Sequence, residues 1–401
     1  MTIEQRIGDI KDKNILFLQG PMGKFFNKLF TIFAQNGAKV YRIGFNAGDS
    51  FFAKDQNYYP YKGKPKHWRD FIEDFLISRN IDMIFLFGDC RFYHKHAISI
   101  AKNTGIDVYV FEEGYLRPGF ITMEYFGVNS NSSMPKHREF YDNYTSRTLE
   151  TFASQHTHST YTRMAWWAFE YYVISDIFYF LYPHYIHHRN FTAFDEGING
   201  IKNFFRKYIN MLKERNLEYM FENKITDKYY FVAIQTHDDF QVRTHSKFRT
   251  IEDFLQYVLL SFIKFAPKDT SIVFKHHPMD RGKKNYKPFI DRIAKEYDVE
   301  DRIIVVWDVH LPTILRNAKA VVVINSTVGL SALYHAKPTI CLGKSMYDID
   351  GLTSKGMSLD KFWTHHKPVD RDLYHKFRQY LLDKTQIPGS FYLGGDKITF
   401  E

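Results

Sequence analysis

Residues 14–33 read NILFLQGPMGKFFNKLFTIF. Residues 14–19 are a short apolar run that stops at Gly20-Pro21, as a buried strand stops at a turn. Beyond the turn, Phe25, Phe26, Leu29, Phe30 and Phe33 recur at helical spacing. Strand, tight turn and one-sided helix make a single β-α unit. The same unit repeats outward from here. Residues 39–43 read as a second strand, followed by the loop FNAGDS. A helical pattern at 68–78 leads to a strand at 83–87, and another at 92–103 leads to a strand at 108–111. Repeats of this size predict a parallel sheet with helices on both faces.

The rhythm stops over 127–225, where a polar stretch gives way to an aromatic one, and it resumes at Tyr229. Strands are predicted at 230–235, 271–274, 303–306, 320–324 and 339–342, with helices at 251–265, 286–297, 311–317 and 328–335. The expected fold is α/β and GT-B-like, two Rossmann-like domains facing a central cleft, with an aromatic-rich helical insert. The expected domains are 1–126, 127–225 (helical insert or connector), 226–345 and a helical tail, 346–401, packing back on the first domain.

Composition narrows the function. The chain has 401 residues, 44% of them hydrophobic and 25% charged, which excludes bulk disorder. Aromatics reach 18%, from 38 phenylalanines and 28 tyrosines, more than a soluble core needs. The net charge of +9 favours anionic partners: nucleotides, nucleic acid, anionic lipid or acidic sugars. Cys90 and Cys341 lie far apart, which fits a reducing compartment and excludes a disulfide scaffold. The start, MTIEQRIGDIKDKN, lacks the apolar core of a secretory signal. Residues 164–186 approach a membrane span in length, but Glu170 and Asp176 interrupt them. They read as a helix buried in the core or lying at an interface. The basic residues are spread along the chain without a nucleic-acid-binding signature, so no nucleic-acid partner is expected.

Ligands of open α/β sheets bind at the carboxyl ends of strands, and five segments fall there. Gln19-Gly20-Pro21-Met22-Gly23 suits either a backbone anion site or a plain β-α turn. Asn46 and Asp49, beside Gly48, suit sugar hydroxyls or turn chemistry equally. Glu112-Glu113-Gly114 sets two carboxylates side by side, which raises one pKa toward the range of acid-base catalysis. Gln235 to Gln241, followed by Arg243, His245 and Ser246, is dense in polar groups that need a ligand or partners if buried. Lys275, His276, His277 and Pro278 form a basic cluster that pairs with Ser326 and Thr327 before a helix, a combination suited to a phosphate. Asp348-Ile349-Asp350 matches a three-residue metal motif that is common by chance, and the expectation is no metal and no cofactor.

Taken in order, FLQGPMGKFFNKLF, VYRIGFNAGD, FEEGYLRPG, QTHDDFQVRTHS, KHHPMDRG and INSTVGLSALYHAKPTICLG resemble the capsule polysaccharide β-Kdo transferases of the KpsS/LipB type, from about residue 14 to 345. Glu-Glu-Gly and His-Pro are also shared with GT-B CMP-sialic acid transferases. The resemblance implies a CMP-β-Kdo donor, a phosphatidylglycerol-type acceptor or a short Kdo chain built on it, and retention of configuration. It implies Asp239 as the nucleophile, with Asp238 next to it as the rival. Glu112 would be the acid/base, with Glu113 the second candidate. His277-Pro278, Ser326 and Thr327 would hold the CMP phosphate, with Gln235, Arg243, His245 and Lys275 around the anionic donor. Gln19, Gly20, Asn46 and Asp49 would line the acceptor side. The place of action would be the cytoplasmic side of the inner membrane, beside a second Kdo transferase that extends the linker. The alternatives are an inverting CMP-sialic acid-type transferase and a non-catalytic capsule assembly or lipid-binding factor.

Overall fold

The computed structural model describes residues 2–53, 57–116, 118–145, 161–186 and 193–392. They fall into two compact units. Residues 134–145 and 197–379 make the second unit, and the remaining described residues make the first. The first unit carries β1 (Asn14–Phe17), β2 (Lys39–Gly44), β3 (Tyr58–Pro60), β4 (Met83–Phe87), β5 (Asp107–Glu113) and β6 (Phe120–Tyr125). The second carries β7 (Tyr229–Ala233), β8 (Ser271–Lys275), β9 (Ile303–Val306), β10 (Ala320–Val323) and β11 (Thr339–Cys341). The chain then supplies β12 (Gln386–Pro388) to the first unit.

The first sheet runs β12-β6-β5-β4-β1-β2-β3. β1 to β5 pair in parallel, whereas β6 and β12 are antiparallel. Period-two alternation splits β1 between two cores. Leu16 and Leu18 join Ile84, Leu86 and Trp68 on one face, and Ile15 and Phe17 join Phe26, Phe33 and Phe85 on the other. Much of the aromatic excess is spent here. The Phe17 ring meets Phe26 edge-on at 5.1 Å and stacks on Phe85 at 5.3 Å. The helix Phe25–Gln35 buries Phe25, Phe26, Leu29 and Phe33, the face its spacing predicts.

The second sheet runs β11-β10-β7-β8-β9, all parallel. Its inner strands β7 and β10 are buried on both faces, so they read as unbroken apolar runs. The helix Ile251–Phe265 starts at a capping box made by Thr250 and Asp253. Two Rossmann-like units are therefore present, as the strand rhythm predicts.

Several local expectations differ. The FNAGDS stretch is a short helix, Ala47–Phe52, because the Asn46 side chain accepts from Asp49 N at 2.8 Å and caps it. The segment 127–225 is divided between the units: the helix Tyr161–Ile177 belongs to the first, Ala193–Glu214 from Gly197 on and Leu217–Asn223 to the second. The tail is divided too, since Leu359–His365 lies in the second unit and 380–392 in the first. The aromatic helix is neither wholly core nor wholly surface. Tyr171 and Tyr172 are buried, while Trp166, Phe169 and Ile177 are exposed. Among the described residues no helix is long and apolar enough to cross a membrane.

Candidate functional site

In each unit the polar residues collect where the strand order reverses. In the first sheet β1 is followed by β2 on one side and flanked by β4 on the other, so the switch point lies between the carboxyl ends of β1 and β4. Gln19, just past β1 and 5% exposed, spans it. Its Oε1 accepts from Arg91 Nη1 at 2.8 Å, and its Nε2 is 3.0 Å from Asp49 and 2.8 Å from the Tyr171 hydroxyl. Asn46 Nδ2 donates to the same hydroxyl at 2.6 Å, which in turn donates to Asp49 at 3.0 Å. Burial holds the Tyr171 phenol well above its ordinary pKa, so it stays a donor. A recess lined by Gly20, Pro21, Met22, Phe87, Arg91, Tyr171 and Tyr392 opens here. Of the four residues expected on the acceptor side, Gly20 lines it. Gln19, Asn46 and Asp49 stand behind, fixing Arg91 and Tyr171 from the rear.

The glycines serve close approach. A Cβ at Gly20 would stand 2.5 Å from the Phe26 ring, and one at Gly114 would stand 2.1 Å from the Phe120 carbonyl oxygen. The third position of Glu-Glu-Gly is thus fixed by packing against the start of β6.

Glu112 and Glu113 end β5, on opposite faces of the sheet. Burial pushes the Glu112 carboxyl up to about 7. The Glu113 backbone N–H, which donates to Glu112 Oε1 at 3.0 Å, works against this, and the Glu113 charge adds to it. The repulsion expected between the two carboxylates is therefore present but secondary to burial. Glu113 instead meets the Tyr392 hydroxyl at 3.3 Å.

In the second sheet the switch point lies between β7 and β10. Gln235 spans it, as Gln19 does in the first unit: its Nε2 donates to Asn325 Oδ1 at 3.0 Å and to Asp239 Oδ2 at 2.9 Å. Asp239 N bonds Thr236 O at 3.1 Å, closing the turn that enters the helix Phe240–His245. Asp238 makes no such contact with Gln235 and lies 4.0 Å from His237. His237 is held at 2.8 Å by the buried Asp280, which raises its pKa.

The basic cluster after β8 is less uniform than its sequence implies. Lys275 is buried, with Nζ donating to the Trp307 carbonyl at 2.5 Å, and burial pushes its pKa down to about 8. His276 is a core residue: burial pushes it down to about 3, its ring stacks on Trp307 at 3.5 Å and its Nε2 accepts from Tyr286 N. His277 is partly exposed and caps the turn Pro278–Asp280, its Nδ1 accepting from Met279 N at 3.2 Å. Ser326 Oγ accepts from Val328 N at 3.2 Å, and Thr327 precedes the helix Val328–Tyr334. Arg243 is exposed, and the His245 carbonyl accepts from Lys344 N at 2.8 Å. Asp348 and Asp350 take separate partners, Thr353 and Lys367, and among the described residues no group of three His, Cys, Asp or Glu could hold a metal.

Arg91, Tyr171, Asn325, Asp280 and Trp307 also belong to these sites. Arg91 and Asn325 follow strand ends, where position alone points to them. Tyr171 comes from a helix more than 120 residues away in the chain, and nothing local marks it.

Two Rossmann-like units, each with a polar switch point, are the pair of domains from which GT-B-like proteins are built. The chain belongs to the capsule polysaccharide biosynthesis protein family, whose model matches residues 82–392. It is 39% identical over 389 residues to the capsule polysaccharide export protein KpsS of Escherichia coli, covering 96% of this chain and 98% of that one. It is 37% identical over 392 residues to the capsule polysaccharide modification protein LipB of Neisseria meningitidis serogroup B, covering 95% and 92%. Among solved structures, the Thermosulfurimonas dismutans KpsC β-Kdo 2,7 transferase aligns over 91% of this chain and 89% of that chain, with 14% identity and a TM-score of 0.41.

Proposed function

We propose that the protein is a retaining β-Kdo transferase that moves Kdo from CMP-β-Kdo to a phosphatidylglycerol-type lipid, starting the linker of a capsular polysaccharide. The observation that carries this reading is Asp239, held at 2.9 Å by the Gln235 amide past the carboxyl end of β7, accompanied by the Glu112 carboxyl, which burial pushes up to about 7. Such a group exchanges a proton near neutral pH, as an acceptor hydroxyl requires. Family membership and the ordered motifs support the capsule setting and the CMP-sugar donor.

In this reading an Asp239 oxygen, aimed by Gln235, attacks the anomeric carbon. The bond to the CMP phosphate oxygen breaks, and CMP leaves with the electron pair. The acceptor hydroxyl then adds to the anomeric carbon as the bond to Asp239 breaks, and Glu112 takes its proton. Two inversions retain the configuration. His277 accepts at Nδ1, so its ring proton sits on Nε2, the tautomer that donates to a phosphate oxygen. Ser326 and Thr327 add hydroxyls, Arg243 adds positive charge toward an anionic sugar, and His245 adds an imidazole beside it. Lys275 acts from behind by holding Trp307. A lipid acceptor puts the work at the cytoplasmic face of the inner membrane, where a second Kdo transferase extends the product.

Glu112 suits an inverting transferase equally well, as the base in a single displacement. The test is to incubate the protein with fresh CMP-β-Kdo and a fluorescent phosphatidylglycerol analogue. The expected product carries one β-linked Kdo. An α-linked product selects the inverting reading, and CMP binding without transfer selects a non-catalytic assembly factor.

A further inference from the structure

The helix Ala193–Glu214 is amphipathic with its polar side turned inward. Asn203 Nδ2 donates to the Pro278 carbonyl at 3.1 Å, and Arg281 Nη1 donates to Asn203 Oδ1 at 2.9 Å. Asn210 bonds Asp308 at 3.0 Å. Glu214 accepts from the backbone N–H of Trp307, Asp308 and Val309 at 2.8, 2.7 and 3.1 Å. Positions 203, 210 and 214 share one face at 3.6 residues per turn. The opposite face is apolar and open: Phe204, Phe205, Tyr208, Ile209, Met211 and Leu212 are 48–71% exposed.

An ordinary surface helix does the reverse. Six large apolar side chains held outward on a helix bolted down by its polar face form a patch that needs a cover. The charges on the helix say which. Asp195 and Glu196 open the helix, and from 197 to 213 there is no acidic residue; Lys202, Lys207 and Lys213 are basic, whereas Arg206 turns inward and donates to the Arg281 carbonyl. Lys202 and Lys213 flank the apolar ridge on one side, and Arg215 follows it. Phenylalanine, tyrosine and leucine rimmed by lysine suit the boundary of an anionic bilayer, with rings among the acyl ends and ammonium groups at the phosphates. No described helix is long and apolar enough to cross a bilayer, so a membrane contact of this one would run along the surface.

We infer that the helix Ala193–Glu214 is a membrane-surface docking helix, seating the second unit on an anionic bilayer through Phe204, Phe205, Tyr208 and Leu212. The inference goes beyond the reaction proposed above and holds whichever sugar is transferred. The polar face of the helix grips the turn Pro278–Arg281 and the residues after β9, so the docked surface is bolted to the loop that carries His277.

The test is sedimentation of the full chain with vesicles of phosphatidylcholine, with and without phosphatidylserine. Phosphatidylserine is not the acceptor proposed above, so binding to it reports the surface and not the reaction. Wild type is expected to sediment with the anionic vesicles and weakly with the neutral ones. The triple substitution Phe204→Ser, Phe205→Ser, Leu212→Ser is expected to cut binding about tenfold or more. Lys202→Glu with Lys213→Glu is expected to remove the preference for anionic lipid. The altered side chains are exposed, so an unchanged thermal midpoint checks that each variant is folded. Equal binding by wild type and the triple variant overturns the inference, as does absence of binding by wild type. A lipid-free wild-type dimer that the triple variant converts to monomer also overturns it, because the ridge is then an interface between copies.

Discussion

Glu112 and Glu113 show how two adjacent carboxyls come to sit in different surroundings. Both carboxylates sit at the end of β5, yet alternation turns them to opposite faces. Glu112 is partly buried beside Glu113 and Asp89, and its removal from water is the largest cause of its rise to about 7. A base acts when deprotonated, so activity should increase with pH through this value and level off above it. The check is kcat/KM for Kdo transfer between pH 5.5 and 8.5. An apparent pKa of about 7 is expected in wild type. Glu112→Gln should lose about 10²–10⁴-fold in rate and show no such step. A wild-type profile flat across this range would remove Glu112 from the role.

Whole elements were legible wherever the pattern was pure. The strands of the second sheet are apolar on both faces, and their positions follow from sequence. β6 (Phe120–Tyr125) was not legible, because its buried position 124 is a glutamate. Glu124 pairs across to Val110, accepts from the Tyr115 hydroxyl at 2.5 Å and is also bonded by Ser132. No local signal marks those partners. The candidate residues of each unit divide in the same way: Gln19 and Glu112 in the first and Gln235 and Asp239 in the second lie at or past strand ends and can be found from the rhythm, whereas Tyr171 reaches Gln19 only through the fold. Burial pushes the Glu124 carboxyl up to about 7 from an ordinary 4.5, against the pull of Ser132 and Tyr115. Across that window the folded chain binds the extra proton, so this group's contribution to stability falls as pH rises. Between pH 4.5 and 7 the loss amounts to roughly 3 kcal/mol at most. Urea unfolding of wild type and Glu124→Gln at pH 5 and pH 8 checks this. The variant should gain on wild type at the higher pH, and a pH-independent gap would show that Glu124 does not titrate in this range.

At the scale of the whole molecule, each unit repeats one plan. The sheet reverses its strand order, and a glutamine past the unit's first strand bridges the switch point, Gln19 to Arg91 in the first unit and Gln235 to Asn325 in the second. The first unit supplies a carboxyl poised near neutral pH. The second supplies a carboxylate held by a buried amide. The excess of basic residues fits an anionic donor and an anionic lipid surface. The central claim is that Asp239 carries the sugar between donor and acceptor. The most direct measurement is the intact mass and peptide map of the Glu112→Gln protein mixed with CMP-β-Kdo, where removal of the base should let the adduct accumulate. The account predicts one added Kdo, mapped to Asp239 and absent when Asp239→Ala is introduced as well. An adduct that survives Asp239→Ala, or transfer that proceeds in that variant, would contradict it.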